Sequence, residues 1–156
     1  MMYTWFTCKI CYEKTLENGM NKKVTEPYLV DALSFTEAEA RIIEEMTQYI
    51  SGEFTVSDIT RARYSELFYA DDASADRWYK VKLGFVTLDE KSGAEKKTYT
   101  NVLVQAADLR DAVKRLDEGM KGSMADYIIV SVAETAIMDV YPYEADPDVK
   151  PEFPEV

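Results

Sequence analysis

Near its start the chain alternates apolar and polar residues in the way that is typical of a half-buried β-strand. One face of this predicted strand carries Phe6, Cys8, Ile10 and Tyr12, and the opposite face carries Trp5, Thr7 and Lys9. The polar stretch Glu17-Asn18-Gly19 follows and suits a hairpin, because asparagine and glycine favour tight turns. The next alternating run is therefore expected to be the returning strand.

A helix is expected after the hairpin, because Ser34 and Glu37 have the spacing of a capping box. The apolar positions that follow are Ala38, Ile42 and Met46. They share one helical face, which we expect to cover the sheet. Residues 53–68 are long for a single strand, and we expect this segment to bend or bulge near its middle. The pattern predicts one β-β-α-β unit.

The same pattern returns 73 or 74 residues later in the chain. Trp78 aligns with Trp5, Met120 with Met46, and Tyr141 with Phe68. The second helix also has a start signal, since Asp108 is followed three residues later by Asp111. We therefore predict an α+β fold of two ββαβ repeats related by pseudo-twofold symmetry, with mainly antiparallel sheets and one helix on one face of each.

This repeat divides the chain into four segments, which are residues 1–68 (first repeat), 69–77 (acidic linker), 78–141 (second repeat) and 142–156 (proline-rich acidic tail). Each copy alone is small for a stable core, so we expect one integrated globular unit. The sequence leaves open whether the copies form one continuous sheet or pack face to face. The tail is expected to dock on its own domain or on a neighbouring subunit.

Composition narrows the classes of function. The chain carries 29 acidic and 18 basic residues, for a net charge of −11, which disfavours non-specific nucleic-acid binding. It has no histidine, which excludes Ser-His-Asp and Cys-His catalysis. Cys8 and Cys11 lack the further ligands that a zinc site needs, and we expect two plain thiols. We predict no catalytic, cofactor or metal site, and a soluble cytoplasmic protein without a signal peptide or membrane span.

The first strands of the two copies present a candidate binding face. It consists of Trp5, Lys9, Trp78, Lys80 and Lys82, opposite the apolar stripes. Exposed tryptophan and lysine could stack on and neutralise a single-stranded nucleic acid. Alternatively the two tryptophans form part of the contact between the repeats, and we favour this interpretation because duplicated units need a mutual contact. The exposure of Trp78 discriminates between the two.

A candidate structural ion pair joins the last strands of the two copies. Glu134 follows the apolar run 128–133, and its partner in the first copy is Arg61. A carboxylate buried in such a strand needs a partner. If the last strands meet at the pseudo-twofold axis, Arg61 can supply it. Glu134 as a general acid is the less favoured alternative.

Several stretches of the second repeat resemble a family of small uncharacterised proteins from Bacteroides and their phages, domain-of-unknown-function family number 4494. These stretches are Arg77-Trp78-Tyr79-Lys80-Val81-Lys82, Leu103-Val104-Gln105-Ala106, Glu118-Gly119-Met120-Lys121-Gly122-Ser123-Met124, Glu134-Thr135 and Met138-Asp139-Val140-Tyr141. The resemblance implies a bacterial or phage origin and little else, because the family is of unknown function and offers no active site to carry over to this chain.

These observations favour a small non-enzymatic protein-binding or adaptor protein from a phage or mobile-element setting. Its partner is expected to be another protein or a second copy of the chain, and no cofactor is expected. A nucleic-acid-binding module that uses the Trp/Lys face is the alternative. An enzyme built on Glu134 or Asp139 is a third class, for which the sequence offers no supporting constellation.

Overall fold

A computed structural model of the chain describes residues 4–123 and 126–143. The elements, in chain order, are β1 (Thr4–Thr15), β2 (Asn21–Ala32), α1 (Phe35–Tyr49), β3 (Phe54–Ala62), β4 (Glu66–Phe68), β5 (Arg77–Leu88), β6 (Glu95–Ala106), α2 (Leu109–Gly119), β7 (Tyr127–Glu134) and β8 (Val140–Tyr141). The strands form two four-stranded sheets, and each sheet has a helix packed against it. The predicted α+β fold with two ββαβ-like units is confirmed.

The chain divides into two compact units. Unit 1 consists of Met1–Ala62 and Asp139–Val156, and unit 2 consists of Arg63–Met138. The strand order is β3-β1-β2-β8 in unit 1 and β4-β6-β5-β7 in unit 2. The two orders correspond strand for strand, because β1, β2 and β3 occupy the positions of β5, β6 and β7. A pseudo-twofold relation between the copies stays a prediction.

The core of each unit lies between its sheet and its helix, where the alternation of the sequence placed it. In unit 1 the fully buried residues of this core are Phe6, Cys8, Ile10, Tyr28, Val30, Ala32, Ala38, Ile42 and Met46. In unit 2 they are Tyr79, Val81, Leu83, Val102, Val104, Ala106, Ala112 and Leu116. Burial of this apolar surface is the main force that holds helix and sheet together.

Both predicted helix starts are confirmed. The Ser34 hydroxyl accepts a hydrogen bond from the Glu37 backbone N–H at 3.1 Å, and Glu37 in turn accepts from Leu33 N–H. The Asp108 carboxylate accepts from Asp111 N–H at 2.8 Å. These bonds satisfy backbone donors that have no partner within the first turn of a helix.

The last segment of each copy was expected to form one bent strand, but it forms two separate strands, β3 and β4 in the first copy and β7 and β8 in the second. After β3 the chain passes into unit 2, where β4 pairs parallel with β6. Correspondingly, β8 follows unit 2 in the chain but pairs parallel with β2 of unit 1. Each copy therefore supplies the fourth strand of the other unit's sheet, so each sheet has one strand more than the three of the predicted β-β-α-β unit. Phe68 of β4 and Tyr141 of β8 pack against the cores that they complete.

Residues 69–77, expected to be an acidic linker, lie within unit 2 and are folded against it. The Asp72 carboxylate lies 3.6 Å from the Arg115 guanidinium of α2, and its backbone carbonyl accepts from Ala75 N–H at 3.0 Å. Ala75 is buried. The chain passes from unit 1 to unit 2 between Ala62 and Arg63 and returns to unit 1 between Met138 and Asp139.

Candidate functional site

The predicted Trp/Lys residues lie in two units, on the sheet face opposite each helix. Trp5 and Lys9 belong to β1 in unit 1, and Trp78, Lys80 and Lys82 belong to β5 in unit 2. Trp78 is only 3% exposed, and its ring packs in a T-shaped arrangement with the Tyr69 ring, with the two ring centroids 5.6 Å apart. Buried in this way, Trp78 offers no face on which a base could stack. A binding face common to all five residues stays a prediction.

Glu134 ends β7 and is not the buried carboxylate that the sequence suggested. Its side chain is 53% exposed, and its carboxylate lies 3.7 Å from the Arg77 guanidinium of the neighbouring strand. Arg61 of unit 1 lies over the Phe35 ring at 6.0 Å. The argument from a buried charge is therefore wrong, and the pairing of Arg61 with Glu134 stays a prediction.

The described parts of the chain bring no metal-binding cluster together, and the buried cysteine is unreactive. Within residues 4–123 and 126–143, no three aspartate, glutamate or cysteine side chains are placed to hold a metal ion. Burial raises the pKa of the Cys8 thiol to about 12, so this cysteine is protonated at neutral pH and a poor nucleophile. Cys11 is partly buried on the opposite face of β1.

The most distinctive surface among the described residues is apolar and lies in unit 2, on the sheet face away from α2. We call it the Gly84 patch; it consists of Gly84, Val86, Leu88, Tyr99, Ile128 and Val130. Tyr99, Ile128 and Val130 are 55%, 49% and 44% exposed. Because apolar side chains that share one exposed surface commonly mark a contact site, the patch is the leading candidate site.

Gly84 forms the floor of the patch, and three side chains converge above it. A Cβ at residue 84 would lie 3.1 Å from Ile128 Cγ1 and 3.4 Å from both Tyr99 Cε1 and Val130 Cγ2. Tyr99 and Ile128 flank Gly84 directly, on β6 and β7. Val130 reaches the same face because the register between β5 and β7 shifts by one residue there, which leaves Val130 as a β-bulge.

Lysines border the patch. Lys80 and Lys82 precede Gly84 on the same face of β5, and Lys97 lies opposite Val86 on β6. The Lys82 ammonium lies 4.8 Å from the centroid of the Tyr99 ring, within the range of a cation–π contact. Glu95, opposite Leu88, adds a carboxylate at the hairpin end. The surroundings of the patch are mainly cationic, although the chain as a whole has a net charge of −11.

The corresponding surface of unit 1 is polar. At the positions equivalent to Gly84, Val86, Leu88, Tyr99, Ile128 and Val130, unit 1 has Cys11, Glu13, Thr15, Thr25, Thr55 and Ser57. β3 has the same bulge as β7, at Ser57. In unit 1 an open hollow of about 630 Å³ lies at this end of the sheet, with Cys11, Glu13 and Thr55 among its lining residues. One fold thus carries two different surfaces, and apolar residues there are not required for folding.

Sequence reasoning missed the patch, although a signal was present. The segment Ile128-Ile129-Val130 is apolar on both faces of its strand, whereas the equivalent segment Thr55-Val56-Ser57 is apolar only on the face toward the helix. Comparing the outward residues of the two copies would have singled out Ile128 and Val130. These residues meet Tyr99 only because β5 pairs with both β6 and β7, and the sequence pattern does not predict which strands pair.

A second cluster, in unit 1, centres on Arg41 of α1. Its guanidinium donates to the backbone carbonyl of Asp31 and, at 3.0 Å, to that of Pro142, and it lies 5.3 Å from the centroid of the Tyr143 ring. It therefore fastens the chain after β8 to the end of β2. Among the described residues, the buried Oδ1 atom of Asp31 has no hydrogen-bond partner.

We expect this buried carboxyl to make stability depend on pH. Burial, opposed by Arg41 and reinforced by Glu37, raises the pKa of Asp31 from 3.8 to about 6. The folded state then binds a proton that the unfolded state does not, so the contribution of Asp31 to stability rises as pH falls from about 6 to about 4. Urea unfolding at pH 7 and pH 5 should show a gain on the order of 1–2 kcal/mol relative to the variant Asp31→Asn. Parallel pH profiles of the two proteins would contradict this.

Within the described residues, neither helix has the length and apolar character that crossing a membrane requires. No curated protein and no solved structure matches the chain. A family model described as a domain of unknown function (DUF4494) matches residues 4–143, which include all ten elements and the Gly84 patch. The bacterial or phage origin implied by the resemblance stays a prediction. The chain is therefore a member of the DUF4494 family.

Proposed function

We propose that the chain is a non-enzymatic protein-binding module and that the Gly84 patch is its binding surface. The observation that carries this proposal is the convergence of Tyr99, Ile128 and Val130 over the bare backbone of Gly84, with each side chain about half exposed. A tyrosine side chain supplies a large contact area and loses little conformational freedom on binding, and the aliphatic side chains beside it add apolar area whose burial contributes affinity.

The duplicated fold supplies an internal comparison for this proposal. Unit 1 forms the same sheet with threonine and serine at the positions of Ile128 and Val130. Unit 1 therefore forms this sheet without the apolar side chains that the Gly84 patch has in unit 2. Leaving them in water costs free energy that burial under a partner would recover, at roughly 25 cal/mol per Å² of apolar surface. This difference supports a binding role for unit 2.

The character of the surface restricts the kind of partner. Lys80, Lys82 and Lys97 favour an acidic polypeptide, because opposite charges steer association and exclude wrong partners. β7 is an edge strand of its sheet, so an extended segment of the partner has backbone groups beside it to pair with. Of the two tryptophans on which the nucleic-acid alternative depended, Trp78 is buried and Trp5 is partly buried, so this alternative has less support.

Site-specific photo-crosslinking tests the proposal. A photoreactive phenylalanine analogue replaces Tyr99 in the full chain, and the matched control places it at the equivalent Thr25 of unit 1. In the cells that carry the gene, we expect discrete crosslinks to another protein from position 99 and none of these from position 25. Equal crosslinking from both positions, or none to another protein from position 99, would overturn the proposal.

The double variant Ile128→Thr/Val130→Ser gives a second test. We expect it to abolish the crosslinks from position 99 while changing the free energy of unfolding by no more than about 1 kcal/mol, because it installs residues similar to those of unit 1 at exposed positions. Urea unfolding measures the stability. The control is Ile43→Thr on α1, which removes a similarly exposed isoleucine outside the patch and should leave the crosslinks intact.

A further inference from the structure

We infer that the partner binds through an extended acidic segment that adds to β7 as a further strand of the unit 2 sheet. The inference rests on the proposed function, since it takes the Gly84 patch to be a protein-binding surface, and it names the binding mode and the chemistry of the partner. β7 ends the strand order β4-β6-β5-β7, and within residues 4–123 and 126–143 no strand pairs with its outer side.

The backbone of β7 alternates between residues that face β5 and residues that face away from it. In an antiparallel ladder one residue directs its N–H and C=O groups to the partner strand, and the next residue directs both away. Thr135 N–H donates to the Trp78 carbonyl at 2.9 Å, so Thr135 faces β5. Counted back from Thr135, the backbone groups of Glu134 and Val132 face the free edge, where an added strand can pair with them.

The side chains of β7 leave this edge open, in contrast to the equivalent edge of unit 1. Charged side chains commonly protect an edge strand against pairing. β3 carries Asp58 in its middle, and the equivalent residue of β7 is Ser131. Both strands have a charged residue near the end (Arg61 and Glu134), and both have a bulge. The missing central charge is therefore what distinguishes β7 from β3.

The apolar side chains of the Gly84 patch extend to the same edge. Ile128 and Val130 belong to β7 itself and are 49% and 44% exposed. Opposite side chains of two paired strands lie about 4.5–5.5 Å apart at their Cβ atoms. An added strand therefore places its own side chains directly beside these two, and apolar residues at those positions would bury apolar surface on both strands.

Lysines define the charge of the partner. Lys80 and Lys82 lie on β5 opposite Ala133 and Ser131, whose side chains are small. An added strand lies about 10 Å from β5, which is two strand spacings of about 4.8 Å, and charges still attract over about 8–10 Å at physiological ionic strength. Acidic residues of the partner therefore suit the positions beside Ser131 and Ala133. β7 of a second copy carries a single acidic residue, Glu134 at its end, so a different protein fits this edge better.

The variant Glu134→Pro tests the pairing, because proline lacks the N–H that faces the free edge. Its effect is measured in the full chain as the yield of crosslinks from position 99, in the cells that carry the gene. We expect the yield to fall about tenfold, because one backbone hydrogen bond is lost and the proline ring obstructs the added strand. The matched control, Glu134→Gln, removes the same carboxylate and keeps the N–H, and its yield should stay within about twofold of the wild type.

A second variant leaves the backbone unchanged. Ser131→Asp introduces at the edge of unit 2 the charge that unit 1 has at Asp58, and we expect a similar loss of crosslinks. Its control, Asp58→Ser, changes the equivalent residue of unit 1 and should leave the yield unchanged. Urea unfolding of each variant separates lost binding from lost folding. Mass spectrometry of the crosslinked peptide should identify an acidic, extended segment of another protein.

Hydrogen exchange in the free chain examines the edge without the partner. The Val132 amide should exchange rapidly, whereas the Ala133 amide, which faces β5, should be protected. Protection of Val132 would mean that the edge is already occupied and would overturn the inference.

The crosslinking results separate this inference from the proposed function. Undiminished crosslinking in folded Glu134→Pro or Ser131→Asp would sink the inference alone and leave the Gly84 patch as a binding surface without strand addition. A basic crosslinked segment, or one from a second copy of the chain, would contradict the partner named here. Absence of crosslinks to another protein in the wild type would remove the proposed function, and the inference with it.

Discussion

Gly119→Ala is expected to destabilise the protein by about 1–3 kcal/mol, because the added methyl group has no room beside Phe68. A Cβ at residue 119 would lie 2.7 Å from two carbons of the Phe68 ring, which is closer than such atoms normally approach. The ring cannot move aside freely, since it packs against the core of unit 2. The sign of this stability change is a test in itself, because replacing glycine by alanine in a helix otherwise stabilises the protein by up to about 1 kcal/mol.

Gly52→Ala is the matched control, because nothing lies within 4 Å of a Cβ at residue 52. We expect this variant to be neutral or slightly stabilised in urea unfolding, since alanine restricts the unfolded chain. In a Phe68→Leu background, Gly119→Ala should cost less stability than it does in the wild type, because the smaller side chain leaves room for the added methyl group. If Gly119→Ala were as stable as the wild type, β4 would not be docked under the end of α2 as the structure has it.

The contact between Gly119 and Phe68 also shows where sequence reasoning reaches its limit. Alternation, capping residues and the repeat identified both hairpins, both helices and the core stripes, because these features are local. Whether Phe68 pairs within its own copy or with β6 is decided by long-range pairing. Both arrangements bury the same apolar side chains of residues 66–68, so the pattern does not distinguish them. The exchange of final strands was therefore missed.

The candidate surface was predicted only in part, for a related reason. The alternation of β5 correctly places Lys80 and Lys82 on the face away from α2. It carries no information about the burial of Trp78, which depends on a neighbour such as Tyr69 that packs from outside the strand. Ile128 and Val130 come from a strand distant in the sequence, and one of them reaches the patch only through a bulge. The alternation within single strands therefore predicts the lysines that border the Gly84 patch but not its apolar residues.

Tyr141→Ala is expected to destabilise unit 1 by about 2–4 kcal/mol, because this side chain anchors a strand of only two residues. Its ring stacks on that of Tyr28 at 6.1 Å and packs against the unit 1 core, and burial raises the pKa of its hydroxyl to about 12. Few backbone contacts remain to hold β8 once the ring is lost, and among them Leu29 N–H donates to the Asp139 carbonyl at 3.0 Å.

Urea unfolding measures this loss, and hydrogen exchange identifies its origin. The Leu29 amide should be protected in the wild type and should exchange much faster in Tyr141→Ala, because its acceptor, the Asp139 carbonyl, immediately precedes the strand that detaches. The amide of Val81, at the centre of the unit 2 sheet, should keep its protection. Tyr49→Ala serves as the control, since Tyr49 is exposed at the end of α1 and its loss should cost about 0.5 kcal/mol or less. Unchanged protection at Leu29 in Tyr141→Ala would mean that β8 does not complete the sheet of unit 1. The reciprocal strand exchange would then fail, because its unit 1 half depends on this pairing.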